Sequence, residues 1–206
     1  IALDSTGRLG EVLRDLGKET FSGAVGLAWK GSGSLGAEGH TGAAKIDLRT
    51  VKIGEGTPID GQLAASYADK TASLDALSLT AGDVSLRGSG AWDGKVVTLA
   101  DWKLTRGDRV PLALAASLPL EPGTEGGFLA QTEPLSLDLT LDQLALEEVT
   151  RYFAAAPPLP GTLNGSVKAG GNFGDLQLAT RLEFQPDPKT QPDKPTTAVE
   201  AAVSYP

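Results

Sequence analysis

From Leu135 to Leu141 the chain reads Leu-Ser-Leu-Asp-Leu-Thr-Leu, apolar and polar residues in strict alternation. A period of two puts Leu135, Leu137, Leu139 and Leu141 on one face of a β-strand and Ser136, Asp138 and Thr140 on the other. Comparable alternation predicts strands over Phe21–Lys30, Ala43–Ile53, Gly61–Ala68, Ala72–Thr80, Val84–Trp92, Val96–Thr105 and Val110–Leu118, and again over Gly161–Ala169, Asp175–Phe184 and the closing "TAVEAAVSYP". The segments between them, "YADKT", "AGD", "WDGK" and "RGDR", are short and built of turn formers. Short turns join antiparallel neighbours, so the expected fold is mainly β, an antiparallel meander.

Two stretches break the period. "TGRLGEVLRDLGKE" sets Leu9, Val12, Leu13 and Leu16 on one helical face, and "LALEEVTRYFAAAPPLP" sets Leu146, Val149 and Phe153 at roughly helical spacing before Pro157 and Pro158 end it. Two short amphipathic helices are expected, leading units that start near residues 6 and 144. A weak internal repeat accompanies them. With Gly23 aligned on Gly161, Val25 falls on Leu163, Trp29 on Val167, Lys30 on Lys168 and Gly33 on Gly171. An array of repeated units accounts for such recurrence more readily than a closed sandwich does. The proline-rich segment 185–197 reads as a mobile, exposed loop. The chain opens within one apparent strand, "IALDS", and closes within another, as expected of a fragment cut from a longer protein.

Composition narrows the partners. The net charge of −8, with no basic run among 18 Lys and Arg, speaks against nucleic acid and against adsorption to an anionic membrane surface. No apolar run reaches the ~20 residues of a membrane-spanning helix. Cysteine is absent, which excludes disulfides, thiol catalysis and cysteine-based zinc sites. Aromatic residues make up only 5% of the chain and methionine is missing, so the apolar stripes consist of Leu, Val and Ala.

Motifs that promise chemistry dissolve on inspection. "GSGSLG", Gly31 to Gly36, has glycine-fingerprint spacing, but "AEGHTG" and another strand follow it where dinucleotide binding needs a helix N-terminus. Arg106-Gly107-Asp108 is what a tight turn requires. Asn164-Gly165-Ser166 fits a glycosylation acceptor but lies inside an expected strand. His40, the single histidine, has no nucleophile or ligand set in the sequence to work with. Glu147 and Glu148 point about 100° apart on a helix and form no catalytic dyad. Trp29, Trp92 and Trp102 fit a core or rim. No enzyme activity, metal or cofactor is expected.

The stretch "GTLNGSVKAGGNFGDLQLATRLEF", Gly161 to Phe184, pairs a glycine-led strand with a glycine-rich turn and an aliphatic return strand. It resembles the repeating signature of the AsmA-like superfamily, specifically its TamB-like branch. Ile46 to Trp92 is similar to the long meander of the same family, and the likeness covers most of the chain. Gly174-Asp175-Leu176 stands where the family places an aspartate-proline turn. The resemblance implies a β-taco, an elongated and curved open β-groove lined with aliphatic residues. It implies a parent protein anchored in the inner membrane of a diderm bacterium and crossing the periplasm. The implied function is to conduct phospholipid between inner and outer membranes as part of outer membrane biogenesis.

An aliphatic groove suits that role. An acyl chain has no hydrogen-bonding group, and each buried methylene contributes about 0.8 kcal/mol. A tail of ~16 carbons therefore gains on the order of 10 kcal/mol while sliding between equivalent positions at little cost. The candidate lining residues are Leu77, Leu79, Val84, Leu86, Leu112, Leu114, Leu135, Leu137, Leu139, Leu141, Leu176, Leu178 and Leu182. A closed, packed core is the alternative use of the same positions. Two rival roles remain at this stage: a scaffold for an outer-membrane β-barrel protein, pairing through exposed strand edges, and a structural fibre or adhesin module.

Overall fold

The computed structural model describes residues 2–5, 21–33, 39–53, 56–124, 127–129, 133–147, 160–172 and 174–205. Nearly all of them are extended, in two compact units, Ile1–Gly107 and Asp108–Pro206. The chain is mainly β and folds as an open antiparallel meander.

In the first unit β1 (Ala2–Ser5), β2 (Phe21–Ser32), β3 (Thr41–Ile53), β4 (Ile59–Ala68), β5 (Thr71–Ala81), β6 (Val84–Trp92) and β7 (Val96–Arg106) pair in chain order, each antiparallel to the next. The turns explain why. Asp69 and Lys70 take φ of 47° and 69°, the left-handed pair that a two-residue hairpin needs to match strand twist. In the β6–β7 turn, Asp93 Oδ1 accepts from the N–H groups of Lys95 and Val96 at 2.9 and 2.7 Å. These bonds hold the Asp93 carboxyl below the usual carboxylate range.

In the second unit β8 (Arg109–Thr124), β10 (Leu135–Ala145), β11 (Gly161–Asn172), β12 (Asp175–Pro186) and β13 (Thr197–Tyr205) follow the same scheme, with the short β9 (Gly127–Leu129) folded back on β8. Two boundaries differ from the sequence expectation by more than three residues. β8 runs on to Thr124, and β10 passes Leu141 to reach Ala145, so the chain is still extended at residue 144 and turns helical only at Leu146–Glu147. The remainder of that expected helix, and all of the first one, lie outside the described residues. The proline-rich segment holds consecutive turns: Gln191 N–H donates to Asp187 O at 2.8 Å, and Asp187 N–H to Pro160 O at 3.3 Å.

Within each unit, substantial contacts among the described elements run only between strands that share a ladder. Closed-off aliphatic side chains are correspondingly few. Among the described residues they are Ala116, Leu141 and Leu144 with the prolines Pro111, Pro119 and Pro186, all in the second unit.

Candidate functional site

Directly opposed residues of an antiparallel ladder project from the same face, so the registers trace rows across each sheet. In the second unit one row runs Leu112, Leu141, Gly165, Leu182, Val199; the next Leu114, Leu139, Val167, Thr180, Ala201; the third Ala116, Leu137, Ala169, Leu178, Val203. Leu135 and Leu176 meet across Gly171 in a fourth. Every candidate residue of this unit therefore lies on one face. The intervening rows, such as Thr140, Ser166, Arg181, Glu200, form a polar face on which Lys168 Nζ sits 3.2 Å from Asp138 Oδ2.

The first unit is built alike. Val25, Leu48, Gly61, Leu79, Leu86 and Leu104 form one row, and Leu27, Ile46, Leu63, Leu77 and Gly88 the next. Val84 stands at the margin, opposite Ala81 and Arg106. Aromatic rings fill the gaps that glycine leaves. A Cβ at Gly88 would lie 2.5 Å from the Trp102 ring, whose Nε1–H donates to Ser89 O at 2.8 Å, and Trp29 covers Gly31 in the same way. A cleft of about 680 Å³ is lined by Trp29, Ser32, His40, Ala44, Ala65 and Tyr67 among others. From the sequence Trp29 and Trp102 fit only a core or rim; Gly31, two residues from Trp29, is a local signal for its placement, whereas Gly88 meets Trp102 only across the β6–β7 ladder.

The apolar face survives because bulges re-phase it. Leu48 and Val51, Leu99 and Trp102, and Leu141 and Leu144 are each three apart, an odd step that should throw the second residue onto the polar face. At each a bulge absorbs the extra residue, and Thr50, Asp101 and Gln143 take φ of 52°, 54° and 50°. Two of these bulges share an anchor. Thr50 N–H donates to Asp60 Oδ1 at 2.8 Å, and Gln143 N–H to Asn164 Oδ1 at 2.7 Å, each from the residue preceding the glycine opposite the bulge. Asn164 is thus committed to the fold within the acceptor triplet that the sequence displays. Gly23 and Gly161, aligned in the internal repeat, both take positive φ, at 107° and 149°.

Accessibility distinguishes the candidates. Leu141, 7% exposed, is core. The others, Leu77, Leu79, Val84, Leu86, Leu112, Leu114, Leu135, Leu137, Leu139, Leu176, Leu178 and Leu182, are half-buried. Leu27, Trp29, Val199 and Val203 are more open still, from 39% to 53%.

The remaining motifs serve the fold. Gly31 and Ser32 belong to β2, and Ser32 Oγ shares a 2.8 Å hydrogen bond with Thr41 Oγ1 across the hairpin. Arg106 ends β7, its Nε 2.8 Å from Asp83 Oδ2, and Gly107 takes the φ of 55° that the turn needs. Among the described residues no group of three or more His, Cys, Asp or Glu side chains gathers as a metal site, and no helix is long and apolar enough to cross a membrane. No family model, no curated protein and no solved structure matches the chain.

Proposed function

We propose that the chain is a non-enzymatic segment of a bacterial envelope protein that carries phospholipid acyl chains along the apolar face of its open sheet, between inner and outer membranes. One observation carries the reading. The aliphatic rows are continuous within each unit, and substantial contacts join only strands that share a ladder. A sheet face of leucine, valine and alanine held half-exposed is costly in water, at roughly 25 cal/mol for each Å² of apolar surface, and hydrocarbon is the cover it accepts without geometric demand. Along the rows of the second unit hydrogen-bonding residues are few, Thr180 within the sheet and Thr197 and Tyr205 on its last strand, so little fixes a tail in one pose. The likeness of Gly161–Phe184 to the TamB-like branch points to the same role and to the periplasm.

The test is extraction and native mass spectrometry of the purified chain. Co-purified phospholipid is expected, together with its loss in Leu137→Asp and Leu178→Asp variants that keep the β-sheet circular dichroism of the parent. Repeatedly lipid-free protein, or unfolding by both substitutions, would show instead that the leucines belong to a dry core.

A further inference from the structure

The apolar face of the first unit changes character along its strands. Towards one end its rows are aliphatic, with Val25, Leu48, Leu79, Leu86 and Leu104 in one line. Towards the other end rings take over: Trp102 lies against Gly88, the next row holds Trp29, and the row beyond holds Tyr67 and Trp92. These include all three tryptophans of the chain. The register positions between them are small, among them Gly42, Ala44, Ala65, Ala72 and Gly90. Trp29 and Tyr67 are 40% and 41% exposed, and both line the cleft that Ser32, Thr41 and His40 also line. Trp92 Nε1 is the one buried side-chain polar atom among the described residues without a hydrogen-bond partner. The hairpin turns at this end, Asp69-Lys70 and Asp93-Gly94-Lys95, carry exposed lysines, whereas at the far end Arg106 is held by Asp83 at 2.8 Å.

Indole and phenol rings gather where hydrocarbon meets polar headgroups, because each joins an apolar body to one hydrogen-bonding atom. Given the lipid-carrying role, we propose that a phospholipid lies along the strands of this unit with its ester and phosphate groups over the Trp29, Tyr67 and Trp92 end and its tails towards Leu48, Leu79 and Leu86. The donors and the turn lysines stand at the end that receives oxygen acceptors and a phosphate. Hydrocarbon alone meets the leucine end. The length agrees: from Tyr67 back to Gly61 the strand rises about 20 Å at ~3.3 Å per residue, against roughly 15 Å for the tails of one bilayer leaflet. The unpaired Trp92 N–H gains an acceptor when its ring turns outward to an ester oxygen. A lipid moving from strand to strand keeps each of its parts in a row of matching chemistry, because the rows run across the ladders.

Tryptophan emission reads the orientation directly, since bromine quenches it only at short range. The chain is loaded from vesicles of phosphatidylcholine brominated either near the ester, at the sixth and seventh carbons of one tail, or deep, at the eleventh and twelfth. Trp92, left alone in Trp29→Phe/Trp102→Phe, should lose more emission to the shallow bromines. Trp102, left alone in Trp29→Phe/Trp92→Phe, lies nearer the leucine end and should lose more to the deep ones. The reversed order, or the same order at both reporters, would overturn the orientation and leave lipid binding standing. No quenching by either lipid overturns it together with the lipid-carrying role, so the two failures are told apart. Lys70→Glu/Lys95→Glu should weaken phosphatidylcholine binding about fivefold, by replacing surface attractions to the phosphate with repulsion, and leave the binding of dioleoylglycerol unchanged. An equal effect on both lipids, or on neither, overturns the orientation. This variant leaves the apolar face untouched, so it decides even where a tryptophan variant misfolds.

Discussion

Thr50 shows how much a single residue bears in this sheet. A β-branched side chain at φ 52° is held in a region that costs an L-residue roughly 1–2 kcal/mol, and it stays there because its N–H is bound to Asp60 and its bulge keeps Leu48 and Val51 on one face. Thr50→Gly is therefore expected to stabilise the chain by about 1 kcal/mol, read as a rise in the thermal midpoint. Asp60→Ala should lower it by a comparable amount, by orphaning the Thr50 N–H. Electrostatics at this scale is confined to the surface. The hydrogen bond from Arg106 holds the Asp83 carboxyl below its ordinary range. A group whose folded pKa is depressed contributes stability above its unfolded pKa and loses it as pH falls through the folded value. The contribution of Asp83 should thus be complete near neutrality and fade only below about pH 4. Carboxyl chemical shifts should show Asp83 titrating at higher pH once Arg106→Leu removes the donor and its charge.

At the scale of the element, the bulge decides how a strand can be read. β10 alternates faithfully to Leu141 and then steps three residues to Leu144. Three is also a helical spacing, so this step runs without a break into the Leu146, Val149, Phe153 pattern from which a helix is expected near 144, although the strand continues to Ala145. Nothing local separates the two readings. The deciding contact is Asn164 Oδ1 on the N–H of Gln143, made by a strand more than a dozen residues further along the chain. Deleting Gln143 should remove the re-phasing, rotate the buried Leu144 toward the polar face and destabilise the fold by about 2–3 kcal/mol, measured by denaturant unfolding. Gln143→Gly, which keeps the bulge, should cost far less. A bulge does not always defeat the reading: the predicted strands Ala43–Ile53 and Val96–Thr105 lie wholly within β3 and β7 despite the bulges at Thr50 and Asp101, as the bulge-free Gly161–Ala169 and Asp175–Phe184 lie within β11 and β12.

For the whole molecule, the organising fact is an apolar face paired with too few covering elements. An ordinary antiparallel sheet buries one face against a second layer, whereas here aliphatic rows cross each unit with most side chains half-exposed. If hydrocarbon is the cover, selectivity should follow length and not shape. Fluorescent fatty acids of increasing chain length should bind progressively tighter, by up to about 0.8 kcal/mol for each methylene buried, with little preference between saturated and branched tails. A sharp optimum at one length would indicate a bounded pocket instead.

Alternation along the chain was enough to determine that this protein is an antiparallel meander and which residues share its oily side, because period two and short turns are local properties of the sequence. It could not determine where that period slips. Bulges at Thr50, Asp101 and Gln143 depend on hydrogen bonds and opposing glycines supplied by other strands. Nor could it tell Leu141, which is closed off, from Leu137 and Leu139, which are not, since the three are identical in residue type and phase. Burial is set by what neighbouring strands bring to each row, and only the tertiary structure makes that visible.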